Sequence, residues 1–573
     1  MLFYITVLLN SCGNAEKETS NEPEREIITI RDQGVMCGEA LTDLEWYLGQ
    51  SKAPKFDGLD AVDYPITTKQ AEAQYYFNQG MALAYGFNHA EAARSFYEAT
   101  RIDSTCAMCY WGFAYVLGPN YNAGMEADNY ERAYDAILSA QKYAELATRK
   151  EQDMIAAMSE RYAPSPPEDR SELDQSYSNA MMELTERYPN DPELACLYAE
   201  SLMNLHPWDL YTFDGEIKEW TPAILNSLNR VLSIDSNHIG AHHFYIHAVE
   251  ASNRPQDGYA SAAKFDAGLI PGSGHLVHMP SHIYIRTGDY NKGLQANIKA
   301  VAIDSNYVDQ CHAQGAYPLF YFPHNIHFIS ATAMFAGNEY WAVKGANSLS
   351  LHVHRQLIKE PGFGTLQHYY SFPYYTAVKF GRWDDILNMN NFDPTMKYPE
   401  AIRHFARGMA FLGKSDLDEA KNEYRRLHQY AQDESLKEVT IWDINNVYTL
   451  LQIADHVLLA EILAYEQDFE KSLNHLAEAA SLEDGLQYQE PTDWLLPVRH
   501  HWGAILLAAE RAEDAINIYN QDLIKLPKNG WSLKGLSNAY NKLGDLSKAK
   551  ELEDAFSQAW SHADIEIKSS RIL

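Results

Sequence analysis

Residues 543–556 read LGDLSKAKELEDAF, and residues 511–527 before them read RAEDAINIYNQDLIKLP, with Ala515 and Ala549 standing 34 residues apart. A repeat of that length suits a pair of helices joined by a turn, in which one small residue lets the two helices close on each other. The last copy has Gly544, Ala549 and Phe556, and the copy before it puts Ala515 and Pro527 in matching places. The same template fits Gly80, Ala92, Phe96 and Ala99 before the turn RIDS, and Gly288, Gly293 and Ala300 in GDYNKGLQANIKAVAIDS. More degenerate copies read AGNEYWAVKGA, FGRWDDIL, GKSDLDEAKNEY and EQDFEKSLNHLAEA. The small closing residue recurs at Ala92, Ala133, Gly293, Ala342, Ala420, Ser472, Ala515 and Ala549. One such unit cannot bury its own apolar face, so only stacking makes it stable, and the expected fold is all-α.

These residues resemble the tetratricopeptide repeat family from about residue 70 onward. The resemblance implies a solenoid of helical hairpins in a right-handed superhelix over 66–573, all helix, in ten or so antiparallel pairs. It also implies that the first helix of each repeat lines a concave surface that binds peptides or proteins. The motifs CAMCYWGFAYVLGPNYN, LMNLHPWDLY and GSGHLVHMPSHIYIRTGDY are similar to those of a subgroup of bacterial envelope tetratricopeptide proteins. No activity comes with that likeness.

Ten of the 22 histidines fall between His238 and His327, where an even spread would place three or four. In HHFYIHAVE, His243, His247 and Glu250 are spaced i, i+4, i+7 and share one helix face. In HLVHMPSHIYIRTGDY, His275, His278 and His282 follow at i, i+3, i+7, and in YFPHNIHFI, His324 and His327 stand at i, i+3. Aligned on the repeats, the helices near 239–252, 275–287 and 319–336 are all first helices, so the three stripes are expected to converge in the groove. Imidazole is the commonest protein ligand for zinc, copper and iron, and a carboxylate beside two histidines suits iron or catalytic zinc. The alternative is a set of polar core groups bonded to carbonyls. Pro280, Pro323, Pro373 and Pro497 are placed within first helices, where each bends the axis and turns side chains inward. If a proline instead opens its helix, it costs nothing there, and His275 and His278 fall in a loop.

Residues 1–12, MLFYITVLLNSC, resemble a lipoprotein signal whose Cys12 carries lipid, with 13–65 as a flexible tether and N-terminal extension. That places the chain in the cell envelope on a lipid anchor. Cys106 and Cys109 in CAMC, with Cys37, Met36 and Met108, suit either a disulfide or a thiolate and thioether site for Cu(I), or plain burial. Without Cys12, an odd five cysteines remain: Cys37, Cys106, Cys109, Cys196 and Cys311. With 46 Lys and Arg against 78 Asp and Glu, the net charge of −32 argues against a nucleic-acid partner. H-E-x-x-H, G-x-S-x-G and the dinucleotide fingerprint are all missing from the sequence. Two functions follow as expectations. One is a histidine-lined groove holding a transition metal (copper, zinc or iron), as an enzyme or as a metal-stabilised binding surface; the other is a non-catalytic scaffold that grips a partner through its histidines and its 38 tyrosines.

Overall fold

The computed structural model describes residues 46, 47, 49, 51–311, 321–389 and 392–573, with backbone alone for 306–311. Its helices follow in chain order. The first are α1 Ala71–Tyr85, α2 His89–Ile102, α3 Ala107–Leu117, α4 Asn129–Tyr143, α5 Arg149–Ser159, α6 Ser171–Arg187, α7 Pro192–Leu205, α8 Thr221–Ile234, α9 Ile239–Glu250, α10 Tyr259–Asp266, α11 Gly274–His278, α12 Pro280–Thr287 and α13 Tyr290–Cys311. Then come α14 Phe322–Ala336, α15 Glu339–His352, α16 Gly364–Lys379, α17 Trp383–Asn388, α18 Lys397–Gly413, α19 Leu417–Ala431, α20 Val447–Tyr465, α21 Phe469–Asp484, α22 Val498–Ala508, α23 Ala512–Lys525, α24 Gly530–Leu543 and α25 Leu546–Ala559.

Neighbouring helices pack in sequence, α1 on α2, α18 on α19, α20 on α21, α24 on α25, and each pair stacks on the next. The small closing residues do what the repeat requires: Ala92, Ala133, Ala342, Ala420, Ser472 and Ala515 are fully buried. The result is an all-α, repeat-packed helical solenoid. The expectation of helix alone needs one correction, a two-residue antiparallel pairing of Thr440–Ile441 (β1) with Asn445–Asn446 (β2) in the connector before α20. Helix α20 is 19 residues long and apolar enough to cross a membrane, yet Leu450, Leu451, Val457 and Leu458 are wholly buried against neighbouring helices.

Two apolar cores divide the chain. One runs from Trp46 to Tyr284 and the other from Ile285 to Ile567, so they meet within α12. The described part of the N-terminal extension belongs to the first core, where Ala53, Phe56, Leu59, Val62 and Tyr64 are buried. The signal segment and Cys12 lie outside the described residues.

The second core closes on itself. Trp531 Nε1 donates to Met334 O at 2.9 Å, and Tyr290 Oη donates to Pro527 O at 3.0 Å, so α24 and the turn before it meet α14 and α13. Glycine is required at this closure. Gly288 has φ 77°, and a Cβ there would stand 2.1 Å from Pro527 O; Gly337 has φ 71°, and a Cβ would stand 2.3 Å from the Trp560 ring.

Candidate metal centre

The first stripe falls on α9. Between its histidines that helix carries Ile239, Phe244, Ile246 and Val249, all buried, so it is apolar nearly all round and sits inside the protein. This corrects the expectation of an open groove: His243, His247, Glu250, His275, His278, His282 and His327 are at most 3 % exposed, and His324 alone is intermediate. The prolines need correction too. Pro280 opens α12, Pro323 sits in the first turn of α14 and Pro497 precedes α22; Pro373 alone lies inside a helix. His275 and His278 are nonetheless helical, on the five-residue α11.

Seven of the eight sequence candidates come together, and they do so where the two cores meet. His243, His247 and His275 each bring one ring nitrogen to within 4.8 Å of the others, and so do His278, His282 and His324. The first trio belongs to α9 and α11. The second straddles the seam, with His324 supplied by α14 from the other core. His327 points elsewhere, its ring 5.7 Å from His368 and 4.4 Å from Phe372.

Hydrogen bonds fix which nitrogen of each ring is free. His243 Nδ1 lies 2.6 Å from Tyr85 O, which can only accept, so Nδ1 carries the proton and Nε2 keeps a lone pair. His278 Nδ1 lies 2.6 Å from Asn297 Oδ1, whose amide is oriented because Nδ2 donates to Gly293 O at 2.7 Å. Glu250 serves two rings at once. Its Oε1 accepts from His247 Nδ1 at 2.6 Å, and its Oε2 stands 2.5 Å from His282 Nδ1, an ion-pair distance off the line of an ideal hydrogen bond. In each case the outer nitrogen is held by an acceptor and the inner one faces its neighbours, the arrangement by which ligating histidines are oriented.

The inner nitrogens then confront one another. His278 Nε2 and His282 Nε2 are 2.9 Å apart, and His243 Nε2 and His275 Nε2 are 3.1 Å apart. Two lone pairs at that distance repel unless a cation or a proton lies between them. Among the described residues, His247 Nε2, His275 Nδ1 and His324 Nδ1 are buried with no hydrogen-bond partner. Burial holds the imidazoles of His243, His275 and His278 well below the usual histidine range, and that of His247 below it as well, so all four are neutral and fit to ligate. Burial also pushes His282 down, but the carboxylates of Glu250 and Glu490 outweigh it and hold that ring up at about 10.

Several residues of the site carried no signal in the sequence. Glu490, from the connector before α22, stands 3.3 Å from His282 Nδ1 and joins Glu250 and His282 in a third ligand set. Phe87 lies 4.5 Å from the His243 ring, and Phe328 lies 4.8 Å from His278, 4.9 Å from His282 and 5.0 Å from His324. These aromatic rings line the two trios. The other cysteine expectation also resolves: Cys106 and Cys109 form a disulfide at the start of α3, which removes their thiolates as copper ligands, while Cys196 is buried and free.

No protein-family model matches the chain, and no curated protein does. Solved structures similar to it include the human IFIT1 dimer with m7Gppp-AAAA, at 11 % identity and TM-score 0.29, covering 90 % of this chain and 98 % of that one. The APC/C hetero-tetramer Cut9-Hcn1 matches at 12 % identity and TM-score 0.28, over 88 % and 77 % of the two chains. Yeast Tom70 matches at 12 % and 0.27, over 85 % and 92 %. At these TM-scores the fold rests on the chain's own helices.

Proposed function

We propose that this chain is a non-catalytic helical-repeat scaffold for a protein or peptide partner, held together at its seam by a buried transition-metal centre. The observation that carries the metal half is the inward convergence of imidazole nitrogens whose outer nitrogens are already committed to Tyr85, Glu250 and Asn297. A closed site of this kind suits a structural ion rather than a catalytic one, which needs an open position. The scaffold half draws on the repeat architecture and on two apolar side chains, Phe213 and Ile217, exposed by 67 % and 51 % on the connector between α7 and α8. The N-terminal sequence and the Cys106–Cys109 disulfide support an envelope location with a lipid on Cys12. Replacing Cys12 by Ser is then expected to release the protein from membranes while leaving it folded.

A second reading has its own support. If His282 is an imidazolium paired with Glu250 and Glu490, its extra proton satisfies the close approach to His278, and the scaffold needs no metal. Elemental analysis of protein purified without a histidine tag separates the two. Bound metal, and a melting temperature lowered by a chelator, support the metal centre; metal-free protein with no chelator effect, even after incubation with copper and zinc salts, leaves the plain scaffold.

A further inference from the structure

The six clustered histidines form two trios that share no ring, and each trio contains its own pair of facing nitrogens. We propose that the centre is dinuclear and binds two cuprous ions, one held by His243, His247 and His275 and the other by His278, His282 and His324; this rests on the metal-centre reading above.

Three observations point to two ions. Metal–nitrogen bonds of about 2.0–2.1 Å put two ligands of one ion roughly 3 to 3.5 Å apart, close to the 3.1 and 2.9 Å separations in the respective trios. In the first trio the outer nitrogens of His243 and His247 are committed to Tyr85 and Glu250, so two lone pairs point inward. His275 can offer a proton to one of them, and its contact is with His243, so His247 Nε2 is left without a donor. In the second trio the facing pair is His278 and His282. A single ion, or a single proton, cannot serve both places.

Charge and coordination number choose the metal. An ion at the second trio displaces the proton that Glu250 and Glu490 favour on His282, and six neutral imidazoles then face those two carboxylates. Two monovalent ions balance those two carboxylates, whereas two divalent ions leave two positive charges buried without partners. Arg286 weighs the same way, since it adds a positive charge at the rim, 3.8 Å from Glu490. Each trio supplies three nitrogens, one short of the tetrahedral set that structural zinc takes, and Phe87 and Phe328 pack against the rings of the first and second trio. Three neutral nitrogens beside aromatic rings suit a cuprous ion.

The test is anaerobic titration of the full chain with Cu(I), using a chromophoric chelator as competitor, alongside Zn(II). Two Cu(I) per chain are expected, with His247→Ala and His324→Ala each retaining one and Zn(II) failing to displace either. One ion per chain, lost altogether in either variant, overturns the dinuclear assignment and leaves the single buried centre standing. Two Zn(II) competing on equal terms overturn the cuprous assignment. No metal at all removes both this inference and the reading beneath it. X-ray absorption on the copper-loaded wild type needs no variant to fold: a first shell of three nitrogens is expected, and a four-coordinate shell or any sulfur overturns the proposal.

Discussion

Glu250 Oε2 lies 2.5 Å from His282 Nδ1, while the other oxygen of the same carboxylate accepts from His247 at 2.6 Å. One buried side chain therefore orients a ring in each trio. Replacing Glu250 by Gln keeps its shape but leaves one acceptor oxygen, and the amide NH2 then faces an imidazole N–H. The expected outcome is a loss of metal affinity of about 10–100-fold, the usual effect of removing a partner that orients a ligand. Chelator competition on wild type and Glu250→Gln measures it; equal affinities would show that the carboxylate orients nothing.

The closure of the second core has its own test. Trp531 is fully buried and ties α24 to the carbonyl of Met334. Trp531→Ala leaves a large cavity and is expected to cost about 3–5 kcal/mol. Trp531→Phe keeps most of the ring and loses one hydrogen bond, at about 1 kcal/mol. Denaturant unfolding ranks the two, and small-angle scattering of the Ala variant should show an expanded C-terminal half. A compact, equally stable Trp531→Ala protein would mean that this contact does not hold the closure.

Much of the fold was legible because its signal is local. The residues marked as closing small positions, Ala92 to Ala549, are the buried ones, since a helix pair that touches at one point needs a small residue at that point. The histidine stripes were legible for the same reason, 3.6-residue periodicity. What stayed hidden is what the chain brings from afar. Met334 and Trp531 are 197 residues apart, and Tyr488, which donates to Glu250 Oε2 at 3.3 Å, is 238 residues from it, so no periodicity connects them. The burial of the stripes did have a sign in the sequence: the residues between the histidines of α9 are as apolar as a core, which a groove-lining helix has no need to be.

Stability against pH should carry a mark of Asp493, 3 % exposed, whose carboxyl burial pushes up to about 7 while the hydrogen bond from Asn445 Nδ2, 2.8 Å, pulls the other way. A carboxyl raised on folding contributes stability that is fully present below its unfolded value, about 4, and is lost as pH rises through its folded value. Asp493→Asn keeps an acceptor for Asn445 and cannot ionise. The variant should match the wild type near pH 4 and be progressively more stable than it from there to about pH 7, with a constant advantage above. Melting curves across pH 4–9 check this, and a constant difference at every pH would place the titration elsewhere.

The last prediction concerns what an ion at the seam does for the whole chain. His278 and His282 belong to the core that ends at Tyr284, and His324 to the core that begins at Ile285. A metal bound by all three adds a link between two apolar cores that otherwise meet within α12, where α11 packs on α13, and at the Tyr488–Glu250 and Glu490–His282 contacts. Loaded protein is therefore expected to unfold in one cooperative step. Removing the metal takes away the free energy of an ion held only by the folded joint, so the two cores should separate into two calorimetric transitions, the joint loosening first. His324→Ala should show the two transitions even with metal present, because the first trio lies wholly within one core and cannot bridge the seam. His243→Ala, which disables that first trio alone, should lower the first core's transition and keep the coupling. If His324→Ala melts as cooperatively as the wild type, the second trio does not couple the cores.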